Sequence, residues 1–323
     1  MAPARLGYDG REPYGYHAAS FAWIFEENGL SITPTAFKAS ASDPDTLSFK
    51  QAMADTDNVT TWMGAAAKDE AASLEKNGTW VEVDTADDAK TKVLPGTWVF
   101  KRKRSPDGEI TKYKARYCVR GDLEEGEPET FAPVVAWSSV RLFLVLSMTL
   151  NLDTCSIDFG SAFVQARLTD PVWIHTPRGF QTEHQGAQRK CLKLVKSLYG
   201  LSVASRLWFE HVREALLKQG LKQNILDPCF IFSPTIMIVL YVDNLGTAYS
   251  NKKDLEKLLQ DLTDLRLEFT HKGTSTDFLG IKFVKDEVNN TVTLTQKGLI
   301  KKLITATGMQ DCNPNYNPAK PLN

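Results

Sequence analysis

The chain has 323 residues and a formal net charge of −1, with 42% hydrophobic and 24% charged residues. This length is enough to bury one large or two ordinary hydrophobic cores, and the composition is that of an ordinary globular protein. The balanced charge excludes a uniformly basic nucleic-acid-binding protein, so any surface for nucleic acid must be local.

The cysteines and the apolar segments narrow the class further. The five cysteines include no Cys-x-x-Cys pair, which argues against a disulfide framework and against a zinc site. The apolar runs are much shorter than the ~20 residues that cross a bilayer, and the N-terminus lacks a signal-peptide pattern. We therefore expect a soluble intracellular protein that binds no membrane.

The first part of the chain shows little periodic structure. Residues 1–58 mix Pro, Gly, Ser, Ala and Asp with scattered aromatic residues, and we expect a polar, linker-like N-terminal extension there. Helical spacing then predicts an amphipathic helix from Trp62 to Lys76, which ends at Asn77-Gly78.

A basic β-hairpin is predicted next, between Trp98 and Arg120, with its turn at Ser105–Gly108. One face of its second strand carries four cations: Lys112, Lys114, Arg116 and Arg120. The opposite face carries Tyr113, Ala115, Tyr117 and Val119. Such a face is most often ordinary solvated surface. Here an acidic run follows at once, which hides a local basic patch in the net charge, and the patch suits the binding of phosphate groups.

The later elements predict an α+β protein. Apolar spacing indicates a helix at 138–150, a long helix around Trp208 that ends at Gly220, and a hairpin at 236–249. Further elements follow in the order helix (252–266), hairpin (278–294, with its turn at Asn289-Asn290) and helix (297–307). This order favours an antiparallel sheet backed by helices.

Two acids stand at the ends of predicted strands. Asp243 follows the apolar run Thr235–Val242, and Asp158 follows Cys155–Ile157. Two carboxylates that meet across a sheet are what a two-metal phosphoryl-transfer site requires, because Mg²⁺ prefers oxygen ligands. The alternative is two unrelated acids that cap turns, with Asp158 as the N-cap of a helix at 161–168.

A set of ordered motifs connects these elements. In chain order they are Thr130–Val135 with Ser139–Leu142, Asp158–Phe163, Pro177–Phe180, Lys196–Leu201, Arg206–Phe209, Tyr241–Asp243 and Asp277–Ile281. In this order and spacing the chain, from about Trp62 onward, closely resembles the reverse transcriptase of copia-type LTR retrotransposons.

The resemblance implies a fold and a reaction. The fold would be α+β, a right-hand polymerase with fingers (about 76–150), palm (about 151–290) and a truncated thumb or connection (291–323), together forming a domain at 59–323. The activity would be RNA-directed DNA polymerisation with Mg²⁺, or Mn²⁺, on an RNA or DNA template with a DNA or RNA primer and dNTPs. Integrase and RNase H segments of a polyprotein would be partners. The expected location is cytoplasmic virus-like particles, with the nucleus as an alternative, and not secretion.

The resemblance also implies roles for single residues. Asp158 and Asp243 would be metal ligands, with Asn244 completing the catalytic group. Phe163 would be the aromatic steric gate that rejects a ribose 2′-OH. Nucleotide or template contacts would come from Gly200, Val203 and Tyr241 together with Lys112, Lys114, Arg116 and Arg120. Primer contacts would come from Phe278, Leu279 and Gly280. Arg178 and Trp208 would have structural roles.

Two positions depart from the family pattern. The family usually has a second acid where this chain has Asn244, and a nucleotide-binding glutamine and a proline where it has Val203 and Ser205. Asparagine offers a carbonyl oxygen but no negative charge. We therefore expect impaired activity in this copy. The alternatives are a catalytically inactive nucleic-acid-binding remnant and a structural fragment of a polyprotein.

Overall fold

The computed structural model describes residues 45–84, 92–104, 109–126, 128–180, 190–274, 277–278, 281–286 and 291–312. Its strands are β1 (Thr46–Ser48), β2 (Trp80–Asp84), β3 (Val93–Leu94), β4 (Gly96–Arg104), β5 (Ile110–Val119), β6 (Asp153–Phe159), β7 (Arg167–Ile174), β8 (Lys190–Lys196), β9 (Lys222–Gln223), β10 (Phe230–Phe232), β11 (Ile236–Tyr241), β12 (Asn244–Tyr249), β13 (Phe269–Thr274), β14 (Asp277–Phe278), β15 (Ile281–Asp286) and β16 (Thr291–Thr295). Its α-helices are α1 (Phe49–Ala54), α2 (Lys68–Lys76), α3 (Trp137–Thr149), α4 (Ala204–Lys218), α5 (Lys252–Asp264) and α6 (Lys297–Ala306).

A six-stranded antiparallel sheet forms the larger half of the protein, in the order β13-β6-β12-β11-β10-β9. Every residue of the run Ile236–Leu240 in β11 is buried. Because successive side chains of a strand point to opposite faces, this sheet is covered on both sides. Helices α3, α4 and α5 contribute side chains to the same hydrophobic cluster, so this core is what fixes the strand ends on which the candidate acids lie.

Two smaller sheets share a second core. The sheets have the orders β1-β4-β5 and β2-β8-β7-β3. Aromatic residues fill the space between them: the rings of Trp62 and Phe100 lie 5.4 Å apart and those of Trp98 and Tyr117 lie 5.1 Å apart. The third small sheet, β14-β15-β16, precedes α6.

Most predicted elements have a counterpart in this fold. The helix predicted at 62–76 is a π-helical segment at Thr61–Ala67 continued by α2, and the hairpin at 236–249 is β11 and β12. The predicted turns at Ser105–Gly108 and Asn289-Asn290 lie outside the described residues. The combination of helices and mainly antiparallel sheets confirms the α+β prediction.

Within the described ranges no helix is both long enough and apolar enough to cross a membrane.

The expected domain start at residue 59 does not fit this structure. β1 pairs with β4, Ala52 is fully buried in the second core, and Ser48 and Gln51 form a capping box at the start of α1. Both elements are too short for a period to be read from the sequence, which is why the segment resembled a linker. Residues 1–44 lie outside the described part, and the limits of fingers, palm and thumb stay predictions.

Candidate polymerase active site

Strand pairing brings the two candidate acids together. In the pairing of β6 with β12, Asp158 lies opposite Asn244, and the N–H of Phe159 donates to the carbonyl oxygen of Asp243 at 2.7 Å. Asp158 is therefore next to the hairpin tip that carries Asp243. Asp158 is not the N-cap of the short 3-10 helix after β6 (Ala162–Gln165), since Ser161 occupies that position.

The hairpin tip itself is strained and anchored. A two-residue turn, Val242 and Asp243, joins β11 to β12, and Val242 has φ 53°. A β-branched residue rarely adopts this left-handed conformation, and such strain persists only where the surroundings enforce it. The indole Nε1–H of Trp208 donates to the carbonyl oxygen of Val242 at 2.5 Å. This contact agrees with a structural role for Trp208.

Each acid has a side-chain partner. Asp158 Oδ2 accepts from Lys272 Nζ at 2.6 Å, with 34% of the Asp158 side chain and 51% of the Lys272 side chain exposed. Asp243 Oδ1 accepts from the amide Nδ2 of Asn244 at 2.8 Å. The negative charge of this strand end is thus partly compensated by one lysine.

Sequence reasoning missed Lys272. The register of β13 shifts between His271 and Thr274, and Gly273 has φ 69°. A β-bulge of this kind changes the direction of a side chain, and bulges are common beside active sites. No strand was predicted at 269–274, and the available signal was Gly273 itself, since a glycine within a strand often marks a bulge.

The donor set suits a divalent cation but is short of one acid. Asp158 and Asp243 offer carboxylate oxygens, and Asn244 offers one amide oxygen, all of them ligands that Mg²⁺ accepts. Among the described residues no group of three or more His, Cys, Asp or Glu side chains could hold a metal ion. The ligand types present are ones that Mg²⁺ accepts, and a metal site formed by Asp158 and Asp243 stays a prediction.

The predicted steric gate lies in an aromatic contact. Phe163 is half-buried, and its ring meets that of Tyr199 edge-on with centroids 5.0 Å apart. Burial raises the pKa of Tyr199; the Arg116 guanidinium opposes this rise, and the Asp243 carboxylate adds to it. Tyr199 is thus within electrostatic range of both the basic strand and an acid of the hairpin.

The three other predicted nucleotide contacts have different surroundings. A Cβ on Gly200, whose φ is 92°, would clash with the carbonyl oxygen of Val119, so only glycine fits this approach to β5. Val203 is the N-cap residue of α4 and packs against the second core. Tyr241 is half-buried at the end of β11. Direct contact of these residues with a nucleotide stays a prediction.

The basic face of β5 is present but partly neutralised. Its opposite face lies in the second core, since Ala115, Tyr117 and Val119 are buried and the half-buried Tyr113 packs against them. On the basic face, Arg116 Nη1 donates to Glu70 at 2.6 Å. Arg120 donates two hydrogen bonds to Asp122, at 2.7 and 2.6 Å.

Arg116 and Arg120 are thus each ion-paired with an acid of the protein. The predicted patch is therefore smaller than the sequence indicates, because acids outside the strand pair with two of its four cations. The other two are Lys112, which is exposed, and Lys114, which is half-buried. Burial, and secondarily the neighbouring Arg116 charge, lowers the pKa of Lys114.

The predicted primer segment is only partly described. The Phe278 side chain is 5% exposed and packs in the hydrophobic core around the six-stranded sheet. It is therefore a packing residue in this structure. Leu279 and Gly280 lie outside the described residues. A primer contact by this segment stays a prediction for its backbone.

Comparison with known proteins identifies the family. The family model described as "Reverse transcriptase (RNA-dependent DNA polymerase)" matches residues 77–321. The chain is 29% identical over 261 residues to a retrovirus-related Pol polyprotein from transposon TNT 1-94 of Nicotiana tabacum, covering 78% of this chain and 19% of that protein. It is 31% identical over 180 residues to the Ty1-ER2 Gag-Pol polyprotein of Saccharomyces cerevisiae, covering 54% of this chain and 9% of that protein.

Among solved structures, a foamy viral protease-reverse transcriptase in complex with double-stranded DNA matches with a TM-score of 0.41 and 17% identity, over 75% of this chain and 35% of that one. The chain spans less than a fifth of these curated relatives. Because the family match covers well over half of the sequence, the chain belongs to the reverse transcriptase family, as its copia-type motifs predicted.

Proposed function

We propose that this reverse transcriptase domain catalyses RNA-directed DNA synthesis, adding deoxynucleotides to a primer on an RNA or DNA template. The observation that carries the proposal is the pairing of Asp158 with the strand end that follows Asp243. In this reaction the primer 3′ hydroxyl gives up its proton to water and its oxygen attacks the α-phosphorus of a dNTP. A new P–O bond forms, and pyrophosphate leaves with the electrons of the broken P–O bond.

Asp158 and Asp243 would hold the divalent ions, Mg²⁺ or Mn²⁺, of a two-metal reaction. Bound there, the ions would supply electrostatic stabilisation of the attacking and leaving oxygens. The half-buried ring of Phe163 would lie under the sugar and clash with a ribose 2′-OH. The exposed cation Lys112 and the half-buried Lys114 would bind template or triphosphate oxygens. Phe278–Gly280 would support the primer strand.

We further propose that this copy is a slow polymerase. The Asn244 amide provides no charge, and its Nδ2–H occupies an oxygen of Asp243. Lys272 compensates the other acid at 2.6 Å. Two divalent ions and a triphosphate need an anionic set of ligands, so the loss of one carboxylate weakens stabilisation of the transition state. Val203 offers no polar group to a nucleotide.

The partners would be the other segments of a polyprotein. The curated relatives are named Pol or Gag-Pol polyproteins and are several times longer than this chain. We propose that integrase and RNase H segments act with this domain, in cytoplasmic virus-like particles or in the nucleus.

Primer extension on poly(rA)/oligo(dT) with Mg²⁺ or Mn²⁺ tests the proposal. We expect Asn244→Asp to raise the rate on the order of 10²-fold over the wild type, since it restores a charged ligand. Val203→Gln should raise it further. Folding should hardly change, because Asn and Asp are near-isosteric and residue 244 is half-buried at a hairpin tip.

The control is Asp158→Asn in the Asn244→Asp background, which should abolish extension. Equal rates for wild type and Asn244→Asp would show that the second acid is dispensable. No extension by any of these variants, with primer–template binding retained, would replace the proposal with an inactive nucleic-acid-binding remnant.

A further inference from the structure

Glu70 is a buried carboxylate outside the predicted site, and it is connected to residues of that site through Arg116. Glu70 belongs to α2, which precedes the segment matched by the family model. The side chain is only 6% exposed, and a buried charge is costly unless it is paired. Arg116 of β5 provides the pairing, with its Nη1 2.6 Å from Glu70 Oε2. Burial raises the pKa of Glu70, and the Arg116 charge opposes that rise.

Arg116 in turn contacts the aromatic pair beside the hairpin. Its guanidinium lies 5.0 Å from the centroid of the Tyr199 ring, within the range of a cation–π contact. The Tyr199 ring meets Phe163 at 5.0 Å, and the Tyr199 carbonyl oxygen accepts from the Val119 N–H at 2.7 Å. A continuous series of contacts therefore runs from α2 to the residue predicted to select the sugar.

We propose that Glu70 is a positioning residue for nucleotide binding. Its carboxylate fixes the Arg116 guanidinium over Tyr199, and this fixed stack sets the orientation of the Tyr199 and Phe163 rings against which the sugar of the incoming nucleotide rests. An arginine held on only one side would be free to change rotamer, and the Tyr199 ring would lose its support. This inference rests on the proposed polymerase function.

The same hairpin contains a matched pair that lacks this connection. Arg102 Nη2 lies 2.6 Å from Asp55, with both side chains at most 20% exposed, and its guanidinium lies 5.7 Å from the centroid of Trp62. Trp62, however, is fully buried in the second core. The Asp55 pair therefore also joins a carboxylate to an arginine beside an aromatic ring. The Asp55 carboxylate additionally accepts from Asn58 Nδ2 and from Trp62 Nε1, and Trp62 lies in the second core rather than beside the hairpin tip.

The test is a double-mutant cycle with two readouts. Glu70→Gln, Arg116→Gln and the double variant are compared by steady-state primer extension in the Asn244→Asp background, and by the ¹⁹F resonance of 3-fluorotyrosine placed at Tyr199. We expect Glu70→Gln to raise the KM for dTTP about tenfold while kcat changes much less, since binding rather than chemistry is affected. The ¹⁹F resonance should shift in the same variant.

Asp55→Asn should leave both the KM for dTTP and the ¹⁹F resonance unchanged. In the Arg116→Gln background, Glu70→Gln should add nothing to the KM, because Glu70 acts through Arg116. Additive effects, or an unchanged resonance in Glu70→Gln, would overturn the proposal. If Glu70→Gln does not fold, Arg116→Lys makes the same test, since lysine keeps the charge but not the planar group.

The two proposals fail in different ways. Absence of primer extension from wild type and Asn244→Asp would refute the polymerase function, whereas the ¹⁹F resonance would still report whether Glu70 orients Tyr199. Normal extension with an unchanged KM in Glu70→Gln would refute only the positioning role.

Discussion

The acidic half of the site (Asp158 and Asp243) and its basic half (Lys112, Lys114, Arg116 and Arg120) are arranged by different interactions. In the six-stranded sheet, backbone pairing of β6 with β12 places Asp158 beside Asp243 and Asn244. In the sheet of β4 and β5, the cations are arranged by side chains of other segments, and Glu70 is the partner of Arg116. Backbone register survives a change of side chain, whereas an ion pair does not.

This difference decides what a mutation can teach. A substitution at Asn244 changes the charge of a hairpin tip whose position the sheet already fixes. A substitution at Arg116 changes a charge and also leaves Glu70 buried without its partner, which is costly. Activity measurements are therefore interpretable at the hairpin without a structural control, while the basic strand always needs one.

The largest effect is expected where the two halves meet, at Gly200. Its φ of 92°, and the clash that a Cβ at this position would make with the Val119 carbonyl oxygen, leave no room for alanine. We expect Gly200→Ala to lower the free energy of unfolding by on the order of 3 kcal/mol, through strain and displacement of Tyr199 from β5. Urea denaturation of the two proteins measures it.

Gly160→Ala is the matched control for this prediction. A Cβ at Gly160 meets no atom within 4 Å, although the residue directly follows β6. A similar loss of stability in both variants would mean that the contact of Gly200 with β5 is not what requires glycine there.

Burial of thiols gives a second comparison, through alkaline pH. Burial raises the pKa of Cys155 in β6 to about 12, and burial also raises that of Cys118 in β5 to about 11. A raised pKa keeps the folded thiol protonated where the unfolded thiol has ionised, so the stabilisation is complete below the unfolded pKa and is lost as pH rises. We expect Cys155 to contribute a fall of about 1.4 kcal/mol per pH unit above pH ~9.

The measurement is the free energy of unfolding of wild type and Cys155→Ala between pH 8 and 11. The alanine variant removes this contribution, so its decline with pH should be shallower. Parallel curves would show that the Cys155 thiol ionises equally easily in both states.

Trp208→Phe tests whether the hydrogen bond from Trp208 to Val242 holds the hairpin turn that carries Asp243. Phenylalanine keeps the ring that packs edge-on against Phe159 at 5.0 Å, but it cannot donate to Val242. The loss of one hydrogen bond should cost about 1 kcal/mol of stability. Primer extension in the Asn244→Asp background should fall about tenfold, because a displaced turn misplaces Asp243. Unchanged extension would mean that the strand pairing alone holds the turn.

The sequence predicted what local patterns encode. The run Ile236–Leu240 and the alternation in β5 each identify a strand, and motif order connects Asp158 with Asp243 although they lie far apart in the chain. The partner of Arg116 could not be predicted, because Glu70 meets it through the packing of α2 against β5, which no short-range period reports. Asp122, in contrast, is only two residues from Arg120, so the sequence did place that acid near its arginine.

Lys272 and the segment before residue 59 were missed for related reasons. The direction of Lys272 is set by the bulge at Gly273 in β13, and a bulge moves a side chain without changing the composition of its strand. β1 and α1 are only 3 and 6 residues long, shorter than the windows in which periodicity can be detected. Short elements gain their stability from the core that they join.

The smallest effect is expected on the basic face. It separates the two lysines, Lys112 and Lys114, which have no ion pair among the described residues, from the two ion-paired arginines. The logarithm of the affinity for duplex nucleic acid falls with the logarithm of salt concentration in proportion to the number of phosphates neutralised. Replacing Lys112 and Lys114 by serine should reduce this slope by up to about two, because each can release one counterion.

Arg120→Gln should change the slope less than a single lysine-to-serine substitution does, since Asp122 already compensates the Arg120 guanidinium. Asp122→Asn, which frees the same arginine, should instead steepen the slope. Fluorescence anisotropy over a salt series measures the slope for the wild type and for each variant. If Arg120→Gln flattened the slope as much as a lysine substitution, Asp122 would be shown to release Arg120 on binding. The Arg120–Asp122 ion pair would then exist only in the protein without nucleic acid. The acids Asp158 and Asp243, whose backbone positions are fixed by strand pairing, would differ from it in keeping one arrangement in both states.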